Sequence, residues 1–193
     1  MTDTPAPSAP AAPVAVSVSR QVVRQTTEVV LVAALAAVIH VGLTAGLLPP
    51  RGACLLVAVV ATLKTGYFLA ENLQHILLAT RQEMLYHRFL ALMGVNMAQI
   101  TLSFALDYWL LETAERGSFT GFETATTPAV VFFDCFFYSV LNFSFFGFGD
   151  IMPQTIPARI VTLLEVVLAF FTVIFLLSDF ISLKDSLRRE RHR

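Results

Sequence analysis

The chain has 193 residues, of which 56% are hydrophobic and only 14% charged, and its mean hydropathy is +0.70. That balance lies far outside the range of soluble globular domains and places the polypeptide in a bilayer. The formal net charge of −1 says little about partners, and no nucleic-acid partner is expected.

Residues 1–19 are rich in Ala, Pro, Ser and Thr and are expected to be disordered, forming most of a cytoplasmic N-terminus over 1–24. A cleaved signal peptide fits less well, because the apolar run that follows is too long and no clean cleavage site follows it. Val29–Leu48 and Ala53–Leu77 each supply the roughly 20 apolar residues that a span needs. Pro49-Pro50-Arg51-Gly52 forces a tight reversal between them, which predicts a two-helix hairpin over 25–80. Lys64 lies near the middle of the second run, and Glu71 follows two helical turns later on the same face. A charge at that depth costs roughly 2.5–3.5 kcal/mol on insertion scales, so each needs a partner. One reading is a structural ion pair, or polar glue to His40 of the first span; the other makes His40, Lys64 and Glu71 a proton or pH sensor coupled to the pore. Cys54 and Cys135 both fall in apolar runs and read as buried thiols, supporting neither a disulfide nor a metal site.

A third span is predicted at Phe89–Leu111, carrying Asp107, and an acidic segment with Glu112, Glu115 and Glu123 follows it. Thr127 then caps a shorter helix, Pro128–Ser144, with Pro128 at its first position. That helix is expected to bury Phe132, Phe133, Phe136, Phe137 and Tyr138. Residues 139–157 read Ser-Val-Leu-Asn-Phe-Ser-Phe-Phe-Gly-Phe-Gly-Asp-Ile-Met-Pro-Gln-Thr-Ile-Pro. Irregular backbone at membrane depth is tolerated only where protein or a water-filled cavity satisfies it, so Gly147 and Gly149 imply a pore or a pocket. The final span, Ile156–Leu183, contains Glu165, Ala169 and Asp179 and ends in a basic tail over 184–193.

This succession resembles the pore domain of tetrameric potassium channels. The family pattern is an outer helix, a pore helix, a filter similar to Thr-Val-Gly-Tyr-Gly-Asp, then a Pro and an inner helix. Gly147-Phe148-Gly149-Asp150-Ile151-Met152-Pro153 falls on the filter and its Pro, and Arg159-Ile160-Val161-Thr162-Leu163-Leu164-Glu165 looks like the start of the inner helix. The match runs from about Ile100 to Ile181, within a pore domain over 88–183.

The resemblance implies a conduction filter of Phe145, Phe146, Gly147, Phe148, Gly149 and Asp150. Carbonyls of Phe145, Phe146, Gly147 and Phe148 would hold potassium or another monovalent cation. One chain supplies one loop, so a homotetramer is expected. The departures carry information too. Phe145 stands in the leading Thr slot and has no oxygen with which to complete the innermost ion site. Phe146 takes the Val slot, and Phe148 lacks the Tyr hydroxyl. Leu141 sits where some members carry a carboxylate behind the filter, which leaves Asp150 without that partner. Ala169 replaces a common hinge glycine and disfavours a sharply bent inner helix. Glu165 and Asp107 resemble ordinary family features with packing or hydration roles, while Asp179 is a candidate cavity-mouth residue.

Basic residues set the orientation. Arg20, Arg24, Arg81, Arg88, Lys184, Arg188, Arg189, Arg191 and Arg193 all fall on one side. Arg51, Arg116 and Arg159 fall on the other, against Glu112, Glu115, Glu123 and Asp150. The positive-inside rule makes both termini cytoplasmic in a multi-pass protein of the cell membrane. The fold class is therefore an all-α membrane protein with four transmembrane helices, a re-entrant pore helix and filter loop lying between the third and fourth.

No span carries Arg or Lys at every third position, which excludes a voltage sensor of the usual kind. The short tail leaves no room for a ligand-binding domain, so gating is expected in the membrane, at the filter or from a partner. No nucleophile–base set, phosphate loop or metal spacing appears, so neither an enzyme nor a cofactor is expected. The expected partners are further copies of the chain, membrane lipid and monovalent cations. These observations point to a passive potassium-channel-like cation channel whose selectivity Phe145 weakens. The alternative is a non-conducting pore homologue acting as a structural or regulatory membrane subunit. A third reading, a proton-handling accessory of a respiratory complex, conflicts with the pore loop.

Overall fold

The computed structural model describes the backbone of residues 15–79, 86–122, 127–147 and 149–190. It describes side chains at Thr27 and over 29–70, 93–122, 127–147 and 149–177. The elements in chain order are α1 (Ala15–Thr44), α2 (Pro50–Ala79), α3 (Tyr86–Ala114), β1 (Phe119–Thr120), α4 (Pro128–Phe143), β2 (Met152–Pro153) and α5 (Ile156–Glu190). Helix α1 begins well ahead of Val29, so residues 15–19, expected to be disordered, are helical. Between Pro13 and Gly42 the sequence contains no Gly or Pro to stop a helix from propagating. Gly46, at φ +69°, ends α1 in the left-handed conformation, with the Leu47 amide donating to the Gly42 carbonyl. The Pro49-Pro50 pair then starts α2 at Pro50, as the reversal requires.

Among the described residues, two stretches, Pro50–Ala70 in α2 and Ile156–Leu177 in α5, are long and apolar enough to cross a bilayer. Val29–Thr44 and Pro128–Phe143 are shorter apolar helices. Helix α3 carries Asn96, Gln99, Thr101, Ser103 and Asp107, which are polar yet buried against protein.

Helix α5 packs against α2, α3 and α4, and α3 packs in turn against α1, α2 and α4. The buried stripe of α2 is built largely of small residues, Ala53, Cys54, Val57, Ala58 and Ala61, which allow its neighbours to approach closely. Helix α5 continues unbroken through the buried Ala169, as its lack of a hinge glycine suggests. An aromatic cluster locks the C-terminal part of α3 to α4. The Tyr108 and Tyr138 rings meet edge-on at 5.1 Å, and Phe119 packs against them at 5.3 and 5.6 Å.

A two-residue antiparallel ribbon, outside the all-α expectation, pairs Phe119 with Pro153 and Thr120 with Met152. The Gln154 amide extends it by donating to the Ser118 carbonyl at 2.8 Å. This ribbon ties the segment after α3 to the segment just beyond the Gly-Phe-Gly motif.

Candidate functional site

Helix α4 starts as its sequence dictates. Thr127 is the N-cap, its hydroxyl accepting from the Val130 amide at 3.4 Å, and Pro128 occupies the first turn. The face that α4 buries is narrower than its aromatic content suggests: it carries Cys135, Tyr138, Ser139 and Asn142. Of the aromatics expected to be buried, Tyr138 is, but Phe133 and Phe137 are 63% and 49% exposed. Spaced four apart, they form a ridge beside the buried stripe, which follows i, i+3, i+4, i+7 spacing.

Ser144 caps the C-terminal end of α4, and the chain turns sharply after it. The Phe145 amide donates to the Asn142 carbonyl at 3.2 Å, and the Phe146 amide to the Leu141 carbonyl at 2.9 Å. The loop therefore hangs from the last turn of the helix. Phe145 sits at φ +61°, in the left-handed region that a non-glycine side chain rarely adopts. Gly147, whose freedom the motif advertises, is not in that region, so the sharp turn falls on a phenylalanine. The Phe145 and Phe146 side chains are 46% and 69% exposed on the single chain. Phe148 lies outside the described residues.

Further along, a Cβ placed on Gly149 would meet Leu141 Cδ1 at 3.5 Å, so a leucine backs the loop where a carboxylate is absent. Gly121, at φ +90°, abuts the Asp150 carbonyl so closely that a Cβ there would lie 2.9 Å from its oxygen. The loop is thus held by α4 on one side and by the Gly121 turn and ribbon on the other.

Behind α4 lies a cluster that sequence reasoning did not assemble. The Glu165 carboxyl of α5 is fully buried. Tyr108 of α3 donates its hydroxyl to Glu165 Oε2, and Asn142 Nδ2 donates to the same oxygen at 3.4 Å. The Ser139 hydroxyl bonds Glu165 Oε1 and also lies 2.8 Å from the Thr101 carbonyl. The available signal was an acid in an otherwise apolar span, together with Ser139 and Asn142 three residues apart on one helix face.

Lys64 is buried and paired, but with Asp107 of α3. Its Nζ also donates to the Ser103 carbonyl at 3.1 Å and lies 4.4 Å from the centroid of the Phe104 ring. Asp107 thus has an ion-pairing role beyond packing or hydration. The side chains of Glu71 and Asp179 lie outside the described residues. His40 stacks on Trp109 at 4.8 Å, and its Nδ1 has no hydrogen-bond partner among the described residues. Cys54 and Cys135 are free, buried thiols. No cluster of three or more His, Cys, Asp or Glu residues with metal-site geometry occurs among the described residues.

Two long helices flank a short capped helix and the loop that carries Gly147 and Gly149. Residues 99–184 match a family model described as ion channel. Over 43 residues the chain is 42% identical to the potassium channel protein kcv of Paramecium bursaria Chlorella virus 1. That match covers 22% of this chain and 46% of the viral protein's length, so less than half of the relative is spanned. No solved structure matches the chain. Residues 99–184, less than half of the chain, are thus similar to ion channels, and the viral match is to a potassium channel.

Proposed function

We propose that this protein is the subunit of a potassium-channel-like channel that conducts monovalent cations passively across the cell membrane. The observation that carries the reading is the loop after α4, suspended from Asn142 and Leu141, inside a segment that matches the ion-channel family. On this reading α1, α2, α3 and α5 each span the bilayer, α4 enters and leaves from the outer side, and both termini are cytoplasmic. Four chains surround one axis. Carbonyls of Phe145, Phe146, Gly147 and Phe148 replace part of the cation's hydration shell. The C-terminal end of α4 adds the partial negative charge of a helix dipole, which favours a cation over an anion. Asp179 attracts cations to the inner mouth, and membrane lipid covers the outer faces of α1 and α2.

Reconstitution into liposomes tests this directly. Potassium influx down its gradient, slower and less discriminating against sodium than in a Thr-bearing filter, is the expected result. Phe145 favours a second reading, in which the assembled pore does not conduct and the protein serves as a structural or regulatory subunit. Flux at background from an intact tetramer would establish that reading instead.

A further inference from the structure

We infer that Glu165 is the positioning residue for the filter loop, supplying from the inner helix the buried acid that the pore helix lacks at Leu141. The inference rests on reading residues 144–150 as the conduction filter.

Asn142 is the connecting node. Its Nδ2 donates to Glu165, and its carbonyl receives the Phe145 amide. Its Oδ1 lies 3.9 Å from the position of a Gly147 Cβ. One residue of α4 therefore bonds the buried acid on one side and the Phe145 amide on the other, with Gly147 nearby. Ser139, one turn earlier, gives the acid a second hold on the same helix, and Tyr108 anchors it to α3. Three helices meet at a single carboxyl group.

Tilting the last turn of α4 would displace the Asn142 carbonyl and, with it, the amide of a phenylalanine already held at φ +61°. A strained conformation persists only where its surroundings over-determine it. The Leu141 side chain has no polar atom with which to hold the loop, so Leu141 contributes only its carbonyl, which accepts the Phe146 amide. Removing the acid leaves the buried Tyr108, Ser139 and Asn142 donors without this acceptor, so some overall stability is lost as well. Loop order relative to the rest of the fold is therefore the quantity that distinguishes a positioning role.

The test is backbone amide exchange of the full-length protein in lipid nanodiscs, with potassium and sodium flux measured on the same preparations. Glu165→Leu fills the space without accepting hydrogen bonds. It should speed exchange across 144–150 by about fivefold or more beyond any change in α2, the effect of losing one net hydrogen bond at the loop. Glu165→Gln retains an acceptor for Tyr108 and Asn142 and can donate to Ser139, so it should restore protection to near the wild-type level. Tyr108→Phe keeps its ring packing and should fall between wild type and Glu165→Leu, which covers the case in which the leucine variant does not assemble.

An unchanged loop in Glu165→Leu, a uniform acceleration over all helices, or a glutamine variant as fast as leucine would each overturn the inference. If Tyr108→Phe is the variant that assembles, wild-type loop exchange in it has the same consequence. A wild type that carries no ion but shows the expected exchange pattern refutes the channel reading and leaves the positioning role standing.

Discussion

Phe145 combines two departures that act at one point. It removes the oxygen expected at the innermost ion site, and it occupies a left-handed backbone conformation at φ +61°. Threonine, being β-branched, strongly disfavours that conformation. Phe145→Thr together with Phe146→Val should therefore pull residue 145 toward extended backbone as well as restore a ligand oxygen. The expected outcome is a higher potassium-to-sodium flux ratio in liposomes than the wild type gives. A wild type that is already strongly potassium-selective would remove the basis for the prediction.

Gly121 allows a second test at the same scale. Its φ of +90° and the 2.9 Å approach to the Asp150 carbonyl leave no room for a methyl group. Gly121→Ala should destabilise the fold by about 1–3 kcal/mol through backbone strain, with the steric clash added. Gly117 has a similar φ of +86° but nothing within 4 Å, so Gly117→Ala should have the smaller effect in a thermal melt.

At the scale of elements, the ion pair between Lys64 and Asp107 joins α2 to α3. Breaking a buried pair by removing one partner typically costs about 3–5 kcal/mol, whereas an apolar replacement of both is tolerated far better. Lys64→Met and Asp107→Leu should each lower the melting temperature more than the double substitution does. Additive losses would show that the contact contributes nothing as a pair.

The partner of Lys64 also marks where sequence reasoning ends. Spacing within one helix brings Lys64 and Glu71 onto one face, but it carries no information about how α2 is rotated against α3. The same gap hid the cluster on Glu165: its donors come from α3 and α4, at sequence separations of 57, 26 and 23 residues. Cues that act within a few residues were legible. Thr127 and Pro128 placed the start of α4, Pro49-Pro50 placed the reversal before α2, and the Gly-Phe-Gly motif placed the loop. The ribbon between Phe119 and Pro153 was not legible, because two residues per strand are too few to show an alternating pattern.

For the whole molecule, the question is what covers the apolar surface that one chain leaves open. Phe133 and Phe137 project from α4, and Ile160, Leu163, Val167 and Phe170 of α5 are also exposed. Lipid can cover any apolar face, but it cannot hydrogen-bond the irregular backbone around Gly147, whose amides and carbonyls need protein or trapped water beside them. Assembly around an axis satisfies both requirements: it lines the loop with its own copies and buries the α4 and α5 ridges between neighbours. Native mass measurement in detergent should give four chains, and a charged substitution such as Phe137→Glu should shift the population toward smaller species while Leu31→Glu, on exposed α1 surface, should not. If, as proposed, the conduction site forms where four loops converge, the Phe137 variant should also lose cation flux in proportion to its lost tetramer. A stable monomer that still conducts would refute the shared-axis arrangement.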